Sequence, residues 1–204
     1  MRKLLFLLIV LFGLIPTAIN AQNWGLGFRL GDPSGLTLKK YMRTHAVELS
    51  VGRTHLFSRE RYYYDRYDKW YLDQRFNYKE HQLLAHRVSS AIGVQLHYLV
   101  HHDDGLTAGL DWYYGFGAQL RMQRFRYDYR YKLEGNNDWY VVYDADVVET
   151  DLGLDGVLGV EYKFPDAPVA VFLDGTLFME LIDDPFIFRP QFGIGARYMF
   201  NRMK

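Results

Sequence analysis

Residues Phe188 to Phe200 read F-R-P-Q-F-G-I-G-A-R-Y-M-F, and the alternation in this stretch decides the fold. Phe188, Pro190, Phe192, Ile194, Ala196, Tyr198 and Phe200 occupy the even positions; Arg189, Gln191, Gly193, Gly195, Arg197 and Met199 occupy the odd ones. Successive side chains of a strand point to opposite faces, so as a strand this segment has one apolar, aromatic face and one small or charged face. A soluble sandwich strand has the same alternation. The start of the chain and the recurrence of the pattern separate the two.

The chain opens with Arg2 and Lys3, then an apolar run from Leu4 to Ile15 broken only by Gly13, then Pro16 to Ala21 ending on a small residue. That order is a secretory signal peptide, with cleavage predicted after Ala21. The run is short for a membrane-spanning helix, which needs about 20 residues. There is no cysteine, which excludes a lipid-anchored lipoprotein and any disulfide. Residues 22–204 suit a single domain. The chain has 24 basic and 24 acidic residues, and nothing in this balance argues for a nucleic-acid partner. No segment after the signal is apolar enough to cross a membrane as a helix. A membrane protein of this composition has to satisfy its backbone in a closed barrel.

Seven more segments alternate in the same way. Trp24, Leu26, Phe28 and Leu30 oppose Asn23, Gly25, Gly27 and Arg29. After Asp32-Pro33-Ser34-Gly35, a type I turn pattern, Thr37, Lys39 and Tyr41 oppose Leu36, Leu38, Lys40 and Met42. Lys40 is the exception on the apolar face and is placed to snorkel. A turn at Arg43-Thr44 leads to Val47, Leu49 and Val51 against Ala46, Glu48, Ser50 and Gly52. The fourth strand is expected over 87–100, with Val88, Ser90, Ile92, Val94, Leu96 and Tyr98 outside and Arg87, Ser89, Ala91, Gly93, Gln95 and His97 inside. The fifth, after Asp104-Gly105, puts Leu110, Trp112, Tyr114, Phe116, Ala118, Leu120 and Met122 outside. The sixth opposes Leu152, Leu154, Leu158, Val160 and Tyr162 to Asp155, Val157, Glu161 and Lys163. The seventh opposes Val169, Val171, Leu173, Leu177 and Met179 to Ala170, Phe172, Asp174, Thr176 and Glu180. The expectation is all-β: an eight-stranded antiparallel up-and-down transmembrane barrel with its apolar face toward lipid. The short turns near residues 43–44, 101–106 and 164–168 then fall at the end carrying both termini, and the long connections after the third and fifth strands at the other end.

The inward parity carries Arg29, Lys39, Arg87, Arg121, Lys163, Arg189 and Arg197 against Glu48, Asp111, Asp155, Glu161, Asp174 and Glu180. An eight-stranded barrel is only wide enough for side chains to fill, so these charges are expected to pair as a plug, with an ion pathway as the alternative. Past Met122 the alternation continues, but the outer parity turns to Arg124, Arg126, Asp128, Arg130 and Lys132, while the inner one becomes Phe125, Tyr127, Tyr129 and Tyr131. Such charges are costly in hydrocarbon. Strands five and six are therefore expected to leave the membrane near Met122 as a two-stranded ribbon turning at Gly135-Asn136-Asn137, with residues 59–81 completing a protruding sheet over its aromatic face.

The signal peptide, the G-L-G-F-R-L-G-D-P-S-G-L-T opening (25–37) and the G-I-G-A-R-Y-M-F close (193–200) resemble small bacterial outer-membrane barrel proteins of the OmpX, OmpW and OmpA-transmembrane type. The resemblance is one of pattern over residues 22–204. It implies a Gram-negative cell outer membrane, contact with its lipid and lipopolysaccharide, and a terminal strand read by the barrel assembly machinery. Phe192, Tyr198 and Phe200 match that signal, although Asn201 to Lys204 follow. The chain is expected to be a monomer without a cofactor.

The loops are the expected functional surface. Residues 59–81 interleave aromatics with both charge signs. Tyr62, Tyr63, Tyr64, Tyr67, Trp70, Tyr71 and Arg75, with Tyr127, Tyr129 and Trp139 of the ribbon, are candidates for an extracellular binding surface, because Tyr, Trp and Arg dominate hot spots. Cross-strand pairing that stabilises an exposed sheet is the other reading of the same residues. The sequence identifies no ligand. Two further functions stay open: a lipid A-modifying enzyme, for which His86 and Ser90 fall on the outer parity near the rim, and a narrow solute conduit. His101-His102-Asp103-Asp104 reads as a hydrated turn in preference to a metal site. The expected function is a non-enzymatic outer-membrane barrel that binds at the cell surface or supports the envelope.

Overall fold

A computed structural model describes residues 23–54, 60–74, 78–103, 107–182, 186 and 188–200. The expected signal peptide, Arg75, Asp104, Gly105 and the residues after Phe200 lie outside the described residues. Eight antiparallel strands close into one up-and-down barrel, each paired with its sequence neighbours and β1 with β8. They are β1 Trp24–Gly31, β2 Ser34–Met42, β3 His45–Arg53, β4 Tyr78–His102, β5 Leu110–Leu133, β6 Tyr140–Lys163, β7 Val169–Glu180 and β8 Phe188–Phe200. One helix, α1 Glu60–Asp73, lies between β3 and β4.

The barrel is inverted relative to a soluble one. Along β8 every even residue faces outward and Gln191, Gly193 and Arg197 are buried inside. Phe28 and Phe192 are each 71% exposed, while Arg29, Lys39, Glu48, Arg121, Glu161 and Arg197 are buried. Lys40 points outward beside the Trp24 ring at 5.5 Å.

Three strands run much further than the rest. Beyond the last β3 pairing, Arg53 with Ile92, β4, β5 and β6 continue as a sheet of their own. The expected ribbon is thus three-stranded. The expected long loop after strand five is strand up to a six-residue turn in which Gly135 takes φ +84°, a left-handed conformation suited to glycine. Residues 60–73 do not add a strand to this sheet; they form α1. Tyr63, Arg66, Tyr67, Trp70 and Tyr71 fall at the helical spacing i, i+3, i+4, i+7 and i+8, and that face packs on the inner face of the sheet.

Bulges reset the alternation in β4. Val88 pairs with Phe125 and Ser90 with Arg124, so Ser89 is an extra residue. Arg87 is therefore displaced from the interior to the outer face, contrary to the uninterrupted parity, and salt-bridges Asp144 and Asp128 there at 2.7 and 3.2 Å. The same bulge separates His86, which pairs inward beside Tyr127, from Ser90, which faces outward beside Arg124. The β1–β2 connection is tighter than a four-residue type I turn. Asp32 and Pro33 alone join the strands through a cis peptide, and Ser34 Oγ accepts from the Gly31 amide at 2.9 Å.

Candidate functional site

The interior and the far end, remote from the termini, hold the two residue sets with functional potential. The interior is a stack of paired charges. Nearest the termini, Lys163 is bonded to Asp111, which also lies 3.4 Å from His101 Nδ1. Above it Glu161 accepts from Lys39 at 2.8 Å, Arg197 at 3.0 Å and the Tyr41 hydroxyl at 2.6 Å. Arg197 also reaches Glu48, which accepts from Thr37 at 2.9 Å. Arg29 donates to Asp174 at 2.6 Å, with Tyr113 on the same carboxylate at 3.2 Å. The Arg29 guanidinium occupies the space a side chain at position 193 would need, so Gly193 makes room for it.

Toward the far end His97 meets Asp155 at 3.0 Å. Gln95 then donates to Gln119 at 3.2 Å and to the Asp32 carbonyl at 3.3 Å. Asp32 also accepts from Thr54 and lies 3.4 Å from Arg121. The β1–β2 tip is thus turned inward, with Pro33 against Gly93. The mouth holds Arg189, which bonds Glu180 at 2.7 Å and lies 3.6 Å from Asp151.

Of the thirteen inward charges expected from the sequence, the structure brings together all but Arg87. It adds some that sequence reasoning missed. Asp151 shares the parity of Asp155 and needed only a longer strand to be found. Asp32 has the sequence context of a turn residue. Arg66 comes from α1 and enters the mouth from above, 3.2 Å from Asp151, 3.4 Å from Glu149 and 3.9 Å from Glu180. Its signal was the helical spacing that places it beside Tyr63, Tyr67 and Trp70.

Above Arg66 the aromatic residues form a core of their own. Tyr67 packs edge-on against Tyr127 at 5.3 Å between centroids, Tyr71 stacks on His81 at 3.8 Å, and Tyr63 stacks on His86 at 4.5 Å. Burial among these rings, with Tyr71, Tyr129 and Asp68 adding smaller contributions, pushes the Tyr67 phenol up. Tyr67, Tyr71, Tyr127 and Tyr129 are buried, and Tyr63 and Trp70 are half-buried. Most of the expected binding aromatics therefore hold α1 to the sheet. Tyr64 and Trp139 stay exposed, and Trp139 lies 4.4 Å from both Arg130 and Lys132 on the outer face. Tyr62 belongs to α1. Phe192, Tyr198 and Phe200 point outward.

Comparison with solved structures finds a likeness to the crystal structure of Neisserial surface protein A. That protein is 12% identical, with a TM-score of 0.41, and the match spans 87% of this chain and 94% of that one. No family model matches, and no curated protein matches in sequence.

Proposed function

We propose that the chain is a non-enzymatic protein of the bacterial outer membrane that presents a rigid, helix-capped sheet at the cell surface, where it binds a partner or supports the envelope. The observation that carries this reading is the inverted barrel. An apolar outer face this extensive is stable only against an apolar medium, and a closed sheet satisfies its backbone there. The β2–β3, β4–β5 and β6–β7 connections and both termini then lie in the periplasm, and the sheet with α1 lies outside. The signal-like first 21 residues agree with that route.

Leu158→Arg, Leu173→Arg and Ile194→Arg are each expected to lower folding yield, because an arginine on the lipid face near the midplane costs about 2–4 kcal/mol. Val157→Arg, whose side chain points inward, acts only by crowding. Heat-modifiable gel mobility measures the yields. Equal and undiminished yields for the three outward variants would sink the membrane reading.

The interior argues against the conduit. Charged side chains pair across it at successive levels, from Asp111 to Arg66, in a bore of side-chain width. Planar-bilayer recordings of the purified protein are accordingly expected to show no discrete conductance steps, and regular steps would favour the conduit. The separation of His86 and Ser90 to opposite faces of β4 removes the pair on which the enzymatic alternative rested.

A further inference from the structure

The outer face of the barrel changes character abruptly on one side only. The last row of the apolar belt there contains Ile92 and Met122, in register with each other. Two residues on, about 7 Å along the strand, the same face presents Arg124, and two residues further Arg126. Arg53 ends β3 in register with Ile92 and is also exposed. At the corresponding end of β7 and β8 the outer face stays apolar, with Leu181, Ile182 and Phe188 exposed. An arginine cluster thus stands directly at the edge of the apolar surface.

Its charges are not settled within the protein. Arg126 lies directly opposite Arg87, and like charges facing each other across two strands are destabilising. Arg87 is held by Asp144 and Asp128. Asp146, the β6 residue in register with Arg126, approaches Arg124 instead, at 3.7 Å, with both side chains about half exposed. Arg126 and Arg53 form no ion pair among the described residues. Outward-facing guanidinium forks fit phosphate oxygens two at a time, and external anions complete them.

Resting on the membrane reading above, we propose that Arg53, Arg124 and Arg126 bind phosphate groups of lipid headgroups in the leaflet around the far end of the barrel. The lipid is the source because the cluster adjoins the apolar belt, where acyl chains end and headgroups begin. Exposed Val148, opposite Arg124, keeps that surface compatible with the acyl boundary. Long arginine stems reach the headgroup plane from such a position.

The test is lipid retention by the full chain. The wild type, Arg124→Gln/Arg126→Gln and, as a control at the opposite end, Lys40→Gln/Arg43→Gln are refolded into vesicles of neutral phosphatidylcholine mixed with a phosphate-monoester lipid. They are then extracted into neutral detergent and weighed by native mass spectrometry. The expected result is retained phosphate-monoester lipid on the wild type and the control, and roughly tenfold less on Arg124→Gln/Arg126→Gln, given the attraction each basic residue near the surface contributes. Arg124→Lys/Arg126→Lys should recover part of it. Gel mobility before extraction confirms that each variant is folded. Equal retention by the wild type and a folded Arg124→Gln/Arg126→Gln protein overturns the site, as does retention of soluble inorganic phosphate in place of lipid. A wild type that inserts into no bilayer at all sinks the membrane reading itself, whereas insertion without phosphate preference sinks only this inference.

Discussion

Glu161→Ala is expected to be the most damaging single substitution in the interior. The Glu161 carboxylate accepts from Lys39 and Tyr41 of β2 and from Arg197 of β8. Without it Lys39 and Arg197 share Glu48 alone, with the Lys39 ammonium 3.7 Å away. Removing one partner of a buried pair leaves an uncompensated charge at about 3–5 kcal/mol. Lys39 lies 4.4 Å from the centre of the Tyr113 ring, and Arg197 lies 3.6 Å from that of Phe172. The rings soften that penalty but carry no negative charge to replace the lost one. Urea titration in detergent, followed by gel mobility, gives the measurement. A loss no larger than an exposed ion pair is worth, about 1 kcal/mol or less, would mean that water reaches this level of the barrel and that the interior is not a dry plug.

Arg66→Ala is expected to free the cap and leave the barrel standing. Arg66 links α1 to Asp151, Glu149 and Glu180 in the mouth. Its removal takes one cation from those carboxylates while Arg189 still reaches Asp151 and Glu180, for about 3 kcal/mol at the lower end of the buried-pair range. That penalty falls on α1 and the upper sheet, which open locally, and not on strands paired on both sides. Amide hydrogen exchange should therefore rise over 60–73 and over the adjoining part of β4 above Val88, while β1, β7 and β8 stay protected. Tyr64→Ala, at an exposed position of the same helix, is the matched control and should change little. Uniform protection in Arg66→Ala would show that the aromatic contacts alone hold α1 in place.

The two variants probe regions that were unequally legible in the sequence. Seven strands besides β8 could be read because alternation is a local property. Each residue's face follows from its neighbour's as long as the pleat is uninterrupted, and lipid on one side with packed charge on the other keeps the contrast sharp. Ser89 broke that chain of inference. A bulge inserts one residue and shifts the parity of its neighbours, and Ser-Ser flanked by small and apolar residues does not announce it. Arg87 and the supposed His86–Ser90 pair were misplaced for that one reason. Residues 60–73 failed differently. A run of three consecutive tyrosines favours extended structure by propensity and hides the 63, 66, 67, 70, 71 stripe. The stripe becomes decisive only when an aromatic sheet lies opposite to receive it.

Alternation along the chain is enough to say which side chains face in and which face out along most of each strand, and hence that the barrel is inverted. It also shows that the outer parity turns charged beyond Met122. Those properties depend on period-two geometry and on residue chemistry alone. Which cation meets which anion, the entry of Asp32 and Arg66 into the interior from a turn and a helix, and the burial of the aromatic residues of 60–73 in a cap follow from the folded arrangement alone. The cap depends on α1 meeting the extended sheet of β4, β5 and β6. The pairings inside the barrel depend on closure, which brings β1 against β8 and carries Arg29 to Asp174 across 145 positions of sequence. No local pattern encodes such a meeting, because it arises from the register of all eight strands together.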